Sequence, residues 1–285
     1  MRKWLIPLID LILYSNFWIA LAALAMTLQT QLFLLGKLQY SPYWVFVFSG
    51  SLFLYALHRI VGLEKAKPFQ ESGRYQVIVT FKHHIQVYAA LSILVSAFFF
   101  FLLPWPVQLS LFLPALLSLA YVIPVLKGKK RLRDVHFVKV FLIAIVWTWL
   151  TVFLPALELG LEQQLSTILM CLERVCFVFA ITIPFDIRDL EIDQFNKVKT
   201  IPSRYGIKKS KAIALFLLAM ALGFAYLNLY TLGISAWQFL AYLLSSLVAA
   251  VLIMKSTGER HDYYYTGLLD GTMILQAFLV FLLTS

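Results

Sequence analysis

At 285 residues, 61% hydrophobic and only 13% charged, the chain carries about half the charge density of a soluble domain, which is roughly 25%. That excludes a water-soluble enzyme and predicts an integral membrane protein. The formal net charge of +10 follows the loops between apolar runs, so it reads as membrane topology and not as a nucleic-acid surface.

Apolar stretches near the roughly 20 residues needed to cross a bilayer fall at 12–35, 42–61, 85–103, 107–126, 137–157, 167–185, 212–230, 237–254 and 265–283. Backbone groups in lipid must be satisfied within each segment. The chain is therefore expected to be an all-α integral membrane protein, with residues 1–285 forming one domain. Lys and Arg gather at Arg2 and Lys3, in 59–82, 127–139 and 188–211, and at Lys255 and Arg260. The alternate loops hold Lys37, then Glu158 and Glu162, then the uncharged stretch 231–236. This alternation predicts a cytoplasmic N-terminus and an external C-terminus, in a multi-pass protein of the cell (inner) membrane. The polar chemistry then forms cytoplasmic cap loops over the bundle, at 62–84, 127–136, 186–211 and 255–264.

Along the chain, the start has the positive charge of a signal peptide, but its apolar run continues to Leu35 and reads as a first span. His58 and Arg59 close the second span. Arg59 can grip phosphate oxygens directly, or it can snorkel to lipid phosphates as an interfacial anchor. Beyond it, Glu64 and Glu71 are interrupted by Pro68, and Lys65 and Lys67 compete for their charge. His83 and His84 are adjacent and point different ways on a helix, while His136 and His261 lack metal-ligand spacing. Cys171 and Cys176 project about 140° apart on a helix, which reads as packing. Glu173 and Arg174 read as a local pair within the sixth span, and Asp270 as a carboxylate for cavity lining or helix packing.

The most informative run is Pro184-Phe-Asp186-Ile-Arg-Asp189-Leu-Glu-Ile-Asp193. On one helix, positions i, i+3 and i+7 lie within an arc of roughly 60°. Three carboxylates on one face repel each other unless a cation sits among them, and Mg²⁺ takes such oxygen ligands together with substrate phosphates. Pro184 is expected to kink the span just before them. The cations Lys197, Lys199, Arg204, Lys208, Lys209 and Lys211 follow, as a diphosphate site would require.

At this point the chain resembles the UbiA superfamily of intramembrane prenyltransferases. The matching residues are Asp186, Asp189 and Asp193, then Lys199-Thr200-Ile201-Pro202 and Gly206, and upstream Tyr121-Val-Ile-Pro124-Val-Leu-Lys127. The resemblance implies a nine-helix bundle around a central cavity that opens sideways to the bilayer. It also implies a polyprenyl diphosphate held through Mg²⁺ between two aspartate-rich motifs, its prenyl group passing to a lipophilic, often aromatic, acceptor. The three aspartates would ligate the metal, and Lys127, Lys199 and Arg204 would hold diphosphate. Tyr121 would belong to the cavity wall. The chain departs from the family at the first motif: Tyr55-Ala-Leu-His58-Arg59-Ile-Val-Gly-Leu-Glu64 contains no aspartate. His58 and Arg59 stand there instead, as direct contacts to phosphate.

Two functions follow. One is a Mg²⁺-dependent prenyltransferase with a degenerate first motif; the other is a non-catalytic relative that binds an isoprenoid lipid or a partner enzyme. A transporter ranks third, because no inverted repeat or pair of broken helices is visible. The acceptor, the prenyl chain length and the oligomeric state are not written in these residues.

Overall fold

The structure, a computed structural model, describes residues 9–10, 12–65, 73–127 and 130–284. Among them, nine helices are long and apolar enough to cross a membrane: Phe17–Leu35, Pro42–Leu63, Lys82–Phe100, Trp105–Val122, Val138–Glu158, Leu165–Arg188, Ile201–Thr231, Ala236–Lys255 and Tyr264–Thr284. In this order they are the first to ninth spans of a multi-pass membrane protein.

Local signals set several ends. Asn16, in the left-handed region at φ 65°, starts the first span, and Gly36 at φ 68° ends it by donating its N–H to the Leu32 carbonyl. The eighth span opens on a capping box, in which the Ser235 hydroxyl accepts from the Gln238 amide.

Eight spans close a ring in which the first packs on the second, the second on the fourth, and so on through the ninth back to the first. The third span lies outside this ring against the second. The first, fifth and sixth are the most buried, and they supply much of one continuous apolar core through Met26, Ala144, Trp147, Phe177 and Ile181.

The hydropathy reading differs from the structure on the polar side. The segment 186–211, expected as a cap loop, is mostly helical. The sixth span runs through Pro184 to Arg188, a short helix covers Leu190–Phe195, and the seventh span begins at Ile201. A capping box between Thr200 and Ser203, with Pro202 in the first turn, nucleates this helix among polar residues. It bends at Gly206, whose φ of 79° is open to glycine at little cost.

Glu173 and Arg174 pair at 3.6 Å, both fully buried. Arg174 also donates to the Thr151 hydroxyl at 2.8 Å, tying the sixth span to the fifth. Glu173→Ala strips the charge partner from a buried guanidinium and should cost about 3–5 kcal/mol, read as a lower midpoint of thermal unfolding in detergent. Glu173→Gln should cost less. For the topology, single cysteines replacing exposed Lys127, Lys199 and Glu259, with Cys171 and Cys176 removed, should all label from the same face of the membrane.

Candidate functional site

The polar residues of the sixth span converge by a route that the sequence spacing did not describe. Asp186 lies in the last turn of the helix. Asp189 sits at the break that follows, with φ −89° and ψ 8°, and Asp193 lies on the short helix beyond. The Lys139 ammonium, from the first turn of the fifth span, lies among all three. Its Nζ is 2.7 Å from Asp186 Oδ1, 3.4 Å from Asp193 Oδ2 and 3.9 Å from Asp189 Oδ2. All four side chains are buried. One ammonium does not neutralise three carboxylates. Burial holds the Asp193 carboxyl above the usual carboxylate range, reinforced by Asp189 and Asp186, although Lys139 pulls it down. Arg188 supplies further positive charge, 2.8 Å from Asp189 and 2.7 Å from Asp262 at the entry to the ninth span. Its guanidinium also lies over the rings of Phe185 and Tyr265, a favourable placement for a cation.

The facing wall is cationic. Arg59 donates to the Asn16 side chain and, at 3.1 Å, to the Leu13 carbonyl. Arg133 contacts His58 and lies over the Tyr121 ring, and Arg131 pairs with Asp134 at 2.9 Å. Between the two walls lies a cavity of ≈ 300 Å³. The second span turns Ser51, Tyr55, His58, Arg59 and Gly62 toward it, the i, i+4, i+7/8, i+11 stripe of one helical face. Away from the charged end the lining becomes apolar, with Ile19, Leu54, Ile143, Leu150, Val178 and Met273. The space is charged at one end, by cations and aspartates together, and apolar at the other.

No protein-family model and no curated protein matches the sequence. Solved structures do. A UbiA homologue from Archaeoglobus fulgidus bound to GPP and Mg²⁺ superposes with a TM-score of 0.64 at 12% identity, covering 95% of this chain and 99% of that one. The apo UbiA homologue from Aeropyrum pernix K1 gives 0.60 at 14%, covering 95% of each. A structure of digeranylgeranylglyceryl phosphate synthase gives 0.57 at 16%, covering 98% of each. The chain has the UbiA fold.

Within that fold the residues singled out from the sequence separate into two groups. Asp189, Asp193, His58, Arg59, Tyr121 and Asp270 line the cavity, and Asp186 stands just behind through its contact with Lys139. Lys127, Lys199 and Arg204 do not line it. All three are exposed, and the last two border a separate surface cleft with Lys197. The seventh span carries its first turn outward, so basic residues close in sequence to the trio end up away from the chamber. Of Glu64 and Glu71, the side chain of the first and the whole of the second lie outside the described residues.

Lys139, Arg131, Arg133, Arg188 and Asp262 line the cavity, and the sequence reading did not select them. Lys139 had a legible signal: it is a lysine inside the apolar run Val138-Lys-Val-Phe-Leu-Ile143, where a charge is functional by default. By position it also belongs to the basic stretch 127–139 that marks topology.

The UbiA fold raises the question of Mg²⁺. The three carboxylates are suitable hard donors, yet the point on which they converge is taken by an ammonium. Among the described residues, no three His, Cys, Asp or Glu side chains are grouped to hold a metal ion. As arranged, these residues do not fit a bound divalent cation. Arg188→Gln takes a guanidinium from buried Asp189 and half-buried Asp262 and should cost about 1.5–3 kcal/mol. Thermal unfolding in detergent reads this, with Arg188→Lys intermediate.

Proposed function

We propose that this protein binds an isoprenoid diphosphate and transfers its prenyl group to a lipophilic acceptor. The observation that carries the reading is the cavity itself, with Arg59, Arg131, Arg133, Lys139 and Arg188 beside Asp134, Asp189, Asp193, Asp262 and Asp270 at its charged end and its apolar body between the spans. Such a chamber matches a diphosphate head and a hydrocarbon tail. The bound GPP, and the DMAPP of a second Archaeoglobus fulgidus structure, belong to those homologues and support this class of ligand.

Breaking the allylic C–O bond leaves a diphosphate carrying an added charge and a carbocation. Guanidinium and ammonium groups at the charged end stabilise the first, and the rings of Tyr55, Trp147 and Phe185 along the wall suit the second. Asp189 and Asp193 hold Lys139 and Arg188 in position. Mg²⁺ on Asp186, Asp189 and Asp193 is the metal-dependent form of this reading, and it requires the Lys139 ammonium to leave the carboxylates. The charged loops face the cytoplasm in this proposal, with the N-terminus on the same side of the inner membrane.

A second reading, an isoprenoid-lipid binder without turnover, is favoured by one observation. The cavity face of the second span carries no carboxylate among Ser51, Tyr55, His58, Arg59 and Gly62. Mass spectrometry of lipids extracted from the purified protein, followed by incubation with geranyl diphosphate and a panel of lipophilic acceptors, separates the two. A prenylated product supports the transferase; a retained diphosphate with no product supports the binder. In calorimetry, Arg59→Ala should weaken geranyl diphosphate binding by about 1.5–3 kcal/mol, the scale of a hydrogen bond to a charged group. Arg204→Ala, on the separate surface cleft, should leave it unchanged.

A further inference from the structure

We infer that Lys139 occupies the place of a metal ion, and that this cavity takes a phosphorylated isoprenoid on protein cations alone, without a divalent metal. The inference rests on the proposed ligand class and goes beyond it in stating how the phosphates are held.

Three observations carry it. First, the Lys139 nitrogen is 2.7, 3.4 and 3.9 Å from one oxygen of each of Asp186, Asp193 and Asp189. A Mg²⁺ ion on the same oxygens, at about 2.0–2.1 Å, would sit against that nitrogen, and two cations do not share such a space. Second, Lys139 is 5% exposed and starts from the first turn of a span packed against the sixth. Its one open side is the cavity itself. Third, further cations line the chamber, Arg131 with Asp134 beside it. The second span presents His58 and Arg59, and the segment before the fifth span presents Arg131 and Arg133. A carboxylate reaches phosphate only through a bridging cation, whereas a guanidinium grips it directly and in bidentate fashion. On both walls the cation that meets the ligand is therefore part of the chain. Asp186, Asp189 and Asp193 become positioning residues, which hold the ammonium at the cavity surface where Lys139 and its neighbours Asp189 and Asp193 line the chamber.

The test uses the full-length protein in lipid nanodiscs, with geranyl diphosphate as the probe and calorimetry as the readout, in excess EDTA and again in excess Mg²⁺. The wild type should bind in EDTA within about threefold of its affinity in Mg²⁺. Lys139→Met should lose at least about tenfold in EDTA, the scale of a lost charged hydrogen bond, and Mg²⁺ should restore that loss. Lys139→Arg should keep binding in EDTA. Rescue by Mg²⁺ separates a replaced metal from a damaged fold, because general damage weakens binding in both buffers. If Lys139→Met does not fold, the wild-type comparison decides by itself. Wild-type binding that needs Mg²⁺ overturns the inference and leaves the isoprenoid diphosphate reading standing, as does unchanged EDTA binding by folded Lys139→Met. No wild-type binding in either buffer removes that reading and the inference together.

Discussion

Three carboxylates cannot be carried into the end of an apolar bundle unless positive charge comes with them, because each uncompensated charge in a low-dielectric site costs several kcal/mol. Here the compensation is Lys139, buried and within 4 Å of an oxygen of Asp186, Asp189 and Asp193. Much of the local structure follows from this requirement. The sixth span ends at Arg188 so that the three aspartates turn inward from different backbone segments. The fifth span begins beside them, and Arg188 bridges to Asp262 so that the ninth span joins the same cluster. The charged end of the cavity is thus assembled from spans distant in sequence.

Two buried charge systems among the described residues make a useful contrast. Glu173 and Arg174 lie deep between packed helices, with Arg174 donating to Thr151 and Gln276 donating to Glu173 at 3.5 Å. Neither residue lines the central cavity. They join helices, in a setting where a charged pair specifies one packing at a cost in desolvation. The Lys139 cluster has the same chemistry but opens onto a chamber, with arginines across from it. Access to the cavity makes one a candidate site and leaves the other a structural pair.

The chamber itself sets the class of ligand more narrowly than the fold does. A bundle of this architecture supports different chemistries according to the groups at its charged end, and that end here holds guanidinium and ammonium groups set among aspartates. The gradient from these residues to Ile19, Leu54 and Met273 favours molecules that are anionic at one end and hydrocarbon at the other.

Local composition and short spacing carry the features that depend on neighbours along the chain. Spans of about 20 apolar residues located nine helices, all but the seventh within about five residues at each end, and the alternation of basic loops placed the acidic run on the same end as His58 and Arg59. Asp186, Asp189 and Asp193 were legible because their spacing is local. Three features needed the tertiary structure. The hydropathy of 201–211 concealed a helix start, since a capping box and Pro202 organise polar residues as readily as apolar ones. Proximity in sequence made Lys199 and Arg204 look like partners of the aspartates, yet the helix bend at Gly206 and the cap at Thr200 leave them on the outside. Lys139 lies 47 residues before Asp186, and only the packing of the fifth span on the sixth brings its ammonium among the carboxylates. Side-chain type and spacing are written locally, but which charges meet is decided by helices that touch far from their place in the chain.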